Sequence, residues 1–259
     1  MSEELYILRE NLPVPTDRER GVGGRVRGVG EENMPTPHRV QAPLPPSWKT
    51  RNMNYDKGIN FLKQSDRVLG QLIEQIGPCL LNSSQQNGDL FSSLSRAILH
   101  QQLSTKAATA IHRRFLQLYP EQPFPTALDI LNTPEEVLRQ VGVSRPKIIY
   151  LQDLATKVLS GLPTLEELEA MDDESIIKTL IPVKGIGRWT VQMLLIFRMN
   201  RFDVLPVDDL GLRAGIKKVY LLDELPSRQI VEHLGQGWKP YCTIASWYLW
   251  RSLELKIHN

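Results

Sequence analysis

Cysteine is nearly missing from this chain: there are two in 259 residues, Cys79 and Cys242, far apart and without a C-x-x-C pair. A zinc ribbon or a four-cysteine iron–sulfur cluster is thereby excluded, and the usage suits a reducing compartment. Long apolar runs are missing too. No window holds eighteen apolar residues, which excludes a membrane-spanning helix and implies a soluble protein. The opening MSEELYILRENLPVP has no basic segment followed by an apolar one, so it does not read as a secretory signal. Nor is there a charge bias. Against 29 Asp and Glu stand 31 Lys and Arg, a net charge of +2, so a nucleic-acid partner would have to be met by a local basic patch. Convincing alternation with period two is absent as well, which removes the main signature of half-buried strands.

What is present is an ordinary globular balance, 41% hydrophobic and 23% charged, and enough length for one large domain or two small ones. Residues 1–53 stand apart. The stretch LPVPTDRERGVGGRVRGVGEENMPTPHRVQAPLPPSWKT is dense in Pro, Gly and charge and has no apolar period able to bury a face, so a disordered tail is predicted. Its Arg18, Arg20, Arg25 and Arg27 read as solvated charge that could brush against phosphates.

From residue 54 to 259 helical spacing dominates. Val68, Leu69, Leu72, Ile73 and Ile76 form one stripe; Ala107, Ala108, Ile111, Phe115 and Leu118 a second; Ile148, Leu151, Ala155 and Val158 a third. Leu212, Ile216 and Val219, and Ile244, Ala245, Tyr248 and Leu249, obey the same rule. Pro120, Pro123 and Pro125 end one helix, Asn132-Thr133-Pro134-Glu135 caps another, and Gly161-Leu162-Pro163-Thr164 separates two more. An all-α bundle of roughly nine or ten helices is predicted.

The segment SIIKTLIPVKGIGRWTVQMLLIF, within residues 174–199, reads as helix, tight turn, helix. Pro182 stops the first helix, and Gly185 and Gly187 permit backbone angles or close approaches that a side chain would block. Free N–H groups at the start of the second helix then make a ready anion site, suited to a DNA phosphate with no base being read. By itself such a turn also serves as a plain connector. Asp208 and Asp209 follow a helix and a loop later, where adjacent carboxylates at a helix start can equally be one N-cap and one solvated acid.

Taken together, the apolar hairpin, the Arg188-Trp189-Thr190 opening and the aspartate pair resemble the helix-hairpin-helix DNA glycosylase superfamily, most closely its 3-methyladenine DNA glycosylase II branch. FSSLSRAILHQQLSTKAATAIHRRF is similar to the branch's helix-loop-helix that enters the minor groove, LRQVGVSRPKIIYLQDLA to its central segment and WKPYCTIASWYLWR to its final helix. The resemblance spans about residues 54–253 and implies a two-lobed helical bundle, in a compact form without the β-rich N-terminal domain of bacterial relatives.

The resemblance also implies roles. The catalytic aspartate falls on Asp209, 20 positions beyond Trp189 and directly before a Leu-Gly-Leu helix opening. Hydrolysis of an N-glycosidic bond passes through a sugar with oxocarbenium character, which a carboxylate near the anomeric carbon can stabilise or serve by orienting water. Superfamily members that also cut the backbone carry a lysine where this chain has Trp189, so a monofunctional hydrolase is implied. Trp189 and Trp247 match positions lining the base pocket, where an electron-poor alkylated purine can stack, although both could equally be core tryptophans. Met193 stands where some relatives have tyrosine, and Cys242 where the branch often has arginine, which bears on substrate range.

Lys184, Gly185, Ile186, Gly187, Arg188 and Thr190 would meet DNA at the hairpin, and Gln102 or Leu103 would supply the plug that replaces an extruded nucleotide. His100 reads as a surface or capping residue; Lys106, Arg113 and Lys147 could neutralise phosphates. No cofactor is required, but the family coordinates a monovalent cation, sodium or potassium, through hairpin carbonyls that match Ile181, Val183 and Ile186. The expected partner is double-stranded DNA with alkylated bases, with no membrane association, and the protein is expected to be a monomer. Its compartment would be the nucleoid of a bacterium or the nucleus of a eukaryote. A change of lesion, such as a deaminated purine, and a module that binds damaged DNA without catalysis are the alternatives.

Overall fold

The computed structural model describes residues 55–81 and 88–255, and among these it is all helix and connection, with no strand. The predicted tail lies outside the described residues. Thirteen helices are present among them: α1 (Tyr55–Ser65), α2 (Arg67–Ile76), α3 (Leu90–His100), α4 (Thr105–Leu116), α5 (Ala127–Asn132), α6 (Glu135–Gln140), α7 (Arg145–Leu159), α8 (Leu165–Glu169), α9 (Asp173–Leu180), α10 (Arg188–Phe197), α11 (Leu210–Val219), α12 (Arg228–Gln236) and α13 (Cys242–Ser252). The count exceeds the nine or ten predicted because α5, α6 and α8 are only five or six residues long, too short to show a periodic stripe.

Packing divides the helices into two groups. Helices α1 and α2 pack with α11 and α13, so both ends of the described chain build one lobe. The second lobe is continuous in sequence: α7 is its spine, flanked by α3, α5 and α6, while α4 packs on α3 and the α9–α10 pair reaches α3 through α10. The predicted stripes supply the cores, with Leu69, Leu72, Ile73, Ala108, Phe115, Ile148, Leu151, Ala155, Leu212 and Ile216 all buried. Helix α13 goes further, being buried along its whole length. A helix apolar on all sides belongs in the middle of a core. It crosses α11 closely, since a Cβ on Gly215 would lie 2.3 Å from the Leu249 carbonyl oxygen.

Polar side chains set the corners. The Asp66 carboxylate caps α2, accepting from the backbone N–H groups of Val68 and Leu69 at 3.0 Å each. Its second oxygen accepts from the Trp238 indole at 3.0 Å and from the Tyr220 hydroxyl, which ties α2 to the far end of α11 and the approach to α13. Burial acts to raise the Asp66 pKa, but these four hydrogen bonds outweigh it and hold the carboxyl below its ordinary value. The Asn132-Thr133-Pro134-Glu135 cap is not formed as predicted. Pro134 occupies the N-cap of α6, and Thr133 donates backwards to the Asp129 carbonyl at 2.7 Å. Both cysteines are free and buried, and burial pushes the Cys79 thiol up to about 12.

Candidate active site

The α9–α10 hairpin is built around Gly185. Its φ of +79° is left-handed, and a Cβ there would lie 2.2 Å from Cδ2 of Tyr150, so the turn rests directly on a ring from α7. Beside it, the Lys184 backbone N–H donates to Asp153 Oδ2 at 2.8 Å, another anchor from α7. Burial acts against the Asp153 charge, yet that bond together with Lys157 and Lys184 keeps its pKa below the ordinary value. Gly187 is the N-cap of α10 and offers no side-chain cap; a Cβ there would meet nothing within 4 Å. The first N–H groups of α10 therefore lie behind open space at the positive end of the helix dipole.

Around that end, Lys184, Gly187 and Arg188 are exposed, and Arg188 pairs with Glu174. Two of the predicted hairpin contacts are corrected. Ile186 and Thr190 are 4% and 7% exposed, so their side chains serve the core and only backbone from Ile186 belongs to the turn. Of the carbonyls matched to a cation, that of Val183 already accepts the Ile186 N–H at 3.0 Å, leaving its second lone pair, and Ile181 is an exposed residue at the end of α9. Neutral backbone oxygens of this kind suit a monovalent cation.

Asp209 caps α11, with Oδ1 accepting from the Leu212 N–H at 2.5 Å. The same oxygen accepts from Trp250 Nε1 at 2.8 Å, and Oδ2 accepts from Trp189 Nε1 at 2.7 Å. Only 5% of the residue is exposed. Three N–H donors from three helices thus fix one carboxylate, and a spacing of 20 residues in the sequence becomes a direct hydrogen bond. The loop leading to it is braced. Thr243 of α13 donates to the Arg201 carbonyl at 2.6 Å and accepts from the Val204 N–H at 3.1 Å. Asp208 is the solvated acid of the pair, exposed and facing Arg228 at 3.3 Å. The two bland roles foreseen for adjacent aspartates are both filled, with the cap and the candidate catalytic group being the same residue.

The tryptophan expected opposite Trp189 is corrected. Trp247 is 1% exposed, sits edge-on to Tyr248 at 4.9 Å and presents no open face to a base. Its neighbour one turn on, Trp250, is the one that reaches Asp209, stacking on Phe197 of α10 at 5.9 Å. Sequence reasoning passes over Trp250 although it lies in the final-helix segment. The available signal is its indole N–H, which needs an acceptor inside an apolar helix and finds the one buried carboxylate among the described residues. Met193 and Trp189 are half-buried at the edge of this core. Cys242 is fully buried with its thiol against the Gly235 carbonyl, so it does not take the place of a pocket arginine.

In the α3–α4 loop, Gln102 is exposed with φ +54°, whereas Leu103 is half-buried. Lys147 is half-buried and donates to the Leu99 carbonyl at 2.7 Å, so it braces the end of α3 instead of offering a free cation; burial lowers its pKa to about 8. His100 is neither a surface residue nor a cap. It packs against His112 with ring centroids 5.5 Å apart, and burial lowers both imidazoles to about 4, helped by Arg96 at His112 and by His112, Arg96 and Lys147 at His100. Among the described residues no cluster of three or more His, Cys, Asp or Glu could hold a metal ion.

A two-lobed helical bundle carrying a hairpin with an open helix N-terminus and a carboxylate caged by indoles fits the DNA-repair resemblance seen in the sequence, and comparison with known proteins agrees. Residues 95–240 match the family model described as HhH-GPD superfamily base excision DNA repair protein. DNA-3-methyladenine glycosylase 1 of Schizosaccharomyces pombe is 40% identical over 186 residues, covering 71% of this chain and 82% of that protein. Alkylbase DNA glycosidase-like protein mag2 of the same yeast is 32% identical over 208 residues, 80% of this chain and 97% of the relative. The solved S. pombe 3-methyladenine DNA glycosylase (Mag1) in complex with abasic DNA superposes with a TM-score of 0.71 at 37% identity, covering 78% of this chain and 99% of that one. DNA-3-methyladenine glycosidase of Bacillus halodurans gives 0.67 at 36% identity, with 77% and 89% covered. The chain belongs to the HhH-GPD superfamily of base excision DNA repair proteins.

Proposed function

We propose that this protein is a monofunctional DNA glycosylase that hydrolyses the N-glycosidic bond of alkylated purines, of the 3-methyladenine and 7-methylguanine type, in double-stranded DNA. The observation that carries the reading is the Trp189–Asp209–Trp250 arrangement. An indole where a nucleophilic amine would stand allows no Schiff base, and a carboxylate held rigidly by N–H donors is suited to a developing positive charge on the sugar.

In this reading the open N-terminus of α10, with Lys184 beside it, receives a backbone phosphate. Gln102 or Leu103 fills the space left in the stack, Gln102 being the exposed one of the two. The base then enters beside Trp189 and Met193. Oδ2 of Asp209 accepts one hydrogen bond, from Trp189, which orients the carboxylate and leaves a second lone pair for the anomeric carbon or its attacking water. The carbonyls of Ile181, Val183 and Ile186 would hold a sodium or potassium ion, which supplies positive charge beside the phosphate. The protein acts as a monomer on one lesion at a time, in whichever compartment holds the genome.

The test is release of 3-methyladenine and 7-methylguanine from methylated duplex DNA, with binding recorded in parallel. Wild type should release base, and Asp209→Asn should lose at least about a hundredfold in rate while still binding; Asn keeps the helix cap. Binding with no release by wild type would leave a non-catalytic module.

A further inference from the structure

The α3–α4 loop and the hairpin turn lie far apart in the sequence, yet one side chain joins them. Gln101 Nε2 donates to the Gly185 carbonyl at 2.8 Å, across 84 positions. Gln101 is the C-cap of α3 and immediately precedes Gln102, the exposed left-handed residue of the loop. Both joined segments rest on one face of α7. Lys147 braces the Leu99 carbonyl, Tyr150 lies under Gly185, and Asp153 accepts the Lys184 N–H. The spacing of 147, 150 and 153 puts these three on neighbouring turns of one helix face.

We infer that Gln101 is a positioning residue that fixes the distance between the plug loop and the phosphate-binding turn, and so governs extrusion of the nucleotide. The inference rests on the proposed glycosylase reading. Extrusion needs two fixed points, one holding the strand and one occupying the vacated stack. On this chain those points are the amides beside Gly187 and the loop tip at Gln102, and the Gln101 amide is their direct link. The hydrogen bond is neutral and joins two backbone turns that are each supported by other contacts. Its loss should leave the fold and the grip on DNA intact while letting the loop drift relative to the turn.

The experiment compares wild type with Gln101→Leu, which keeps the bulk and removes the donor, and Gln101→Met, which keeps the length and the neutral charge but has no N–H to donate. Three quantities are read: affinity for undamaged duplex by fluorescence anisotropy, unstacking of a 2-aminopurine placed beside the target base, and single-turnover release of 7-methylguanine. The thermal midpoint of each variant is checked as well. Both variants should bind undamaged duplex as wild type does and melt at the same temperature. Both should show a reduced 2-aminopurine signal and release base about five- to tenfold more slowly, the equivalent of one neutral hydrogen bond. Full release by Gln101→Met would overturn the inference, because length and bulk alone would then suffice. A loss that tracks duplex affinity or melting temperature would overturn it too, leaving Gln101 an ordinary structural residue. If wild type releases no base, the glycosylase reading fails, and the 2-aminopurine comparison still decides the role of Gln101. A wild type that unstacks no base would overturn the inference as well.

Discussion

The two glycines of the hairpin turn look interchangeable in the sequence, but their surroundings predict very different responses to replacement by alanine. At Gly185 an added Cβ would lie 2.2, 2.5 and 2.7 Å from three atoms of the Tyr150 ring, and the backbone is held at φ +79°. The left-handed conformation costs an L-residue about 1–2 kcal/mol. Displacing a packed ring adds about 1–3 kcal/mol. Gly185→Ala should therefore lose about 2–5 kcal/mol, a large share of the roughly 5–15 kcal/mol that holds a typical domain together. Gly187 has φ −98° and nothing within 4 Å of an added methyl group, so Gly187→Ala should cost less than about 1 kcal/mol. The assay is urea unfolding followed by far-UV circular dichroism, with unchanged slope as the condition for comparing midpoints. Binding to duplex should separate the pair in the opposite sense, because a methyl at Gly187 stands in front of the free N–H groups of α10 while leaving the fold alone. Combining Gly185→Ala with Tyr150→Ala should relieve the clash and destabilise by less than the two changes summed. Equal stabilities for the two glycine variants would refute the assignment of Tyr150 as the floor of the turn.

Three further outcomes follow from the geometry. Trp250→Phe preserves the stack on Phe197 but removes a donor to Asp209, so base release should fall by about ten- to a hundredfold with duplex affinity unchanged, measured in single turnovers. The neutral His100 and His112 pair has folded pKa values near 4 against an ordinary 6.5. Its stabilising contribution is thus complete above pH 6.5 and lost as pH falls toward 4; melting curves across that window should flatten in His112→Phe. Asp66 is likewise depressed, so its contribution is present above the unfolded carboxylate pKa and disappears only at lower pH. Asp66→Asn, whose amide would turn N–H groups toward Trp238 or Tyr220, should cost about 1–3 kcal/mol of unfolding free energy by urea titration.

Much of this molecule is legible in the sequence where the information is local. The stripes of α2, α4 and α7 need only a 3.6-residue period, and the hairpin stands out because a left-handed turn pressed on an aromatic ring admits little but glycine. The separate roles of Trp189 and Asp209 are readable through the family resemblance, but the hydrogen bond between them is not. What stays hidden depends on register between distant helices. Trp247 and Trp250 differ by one helical turn, and which of them reaches Asp209 depends on the register of α13 against α11, a contact between segments with no shared pattern. Thr190 and Ile186 are assigned to the DNA-meeting hairpin by the family resemblance, but the hairpin packs both side chains into the core. The four hydrogen bonds on Asp66 come partly from Tyr220 and Trp238, 154 and 172 positions away, and no spacing rule reaches that far.

The lobe formed by α1, α2, α11 and α13 has a consequence for the order in which the protein is made. Its first two helices leave the ribosome well before their partners exist, while the continuous second lobe, from α3 to α10, already carries its own neighbours. During synthesis the hairpin can be complete while Asp209 and Trp250 are still to come. Asp209 thus meets Trp250 only when the last helix packs on the first two, so on the proposed reading the group that acts on the sugar is assembled after the turn that receives the strand.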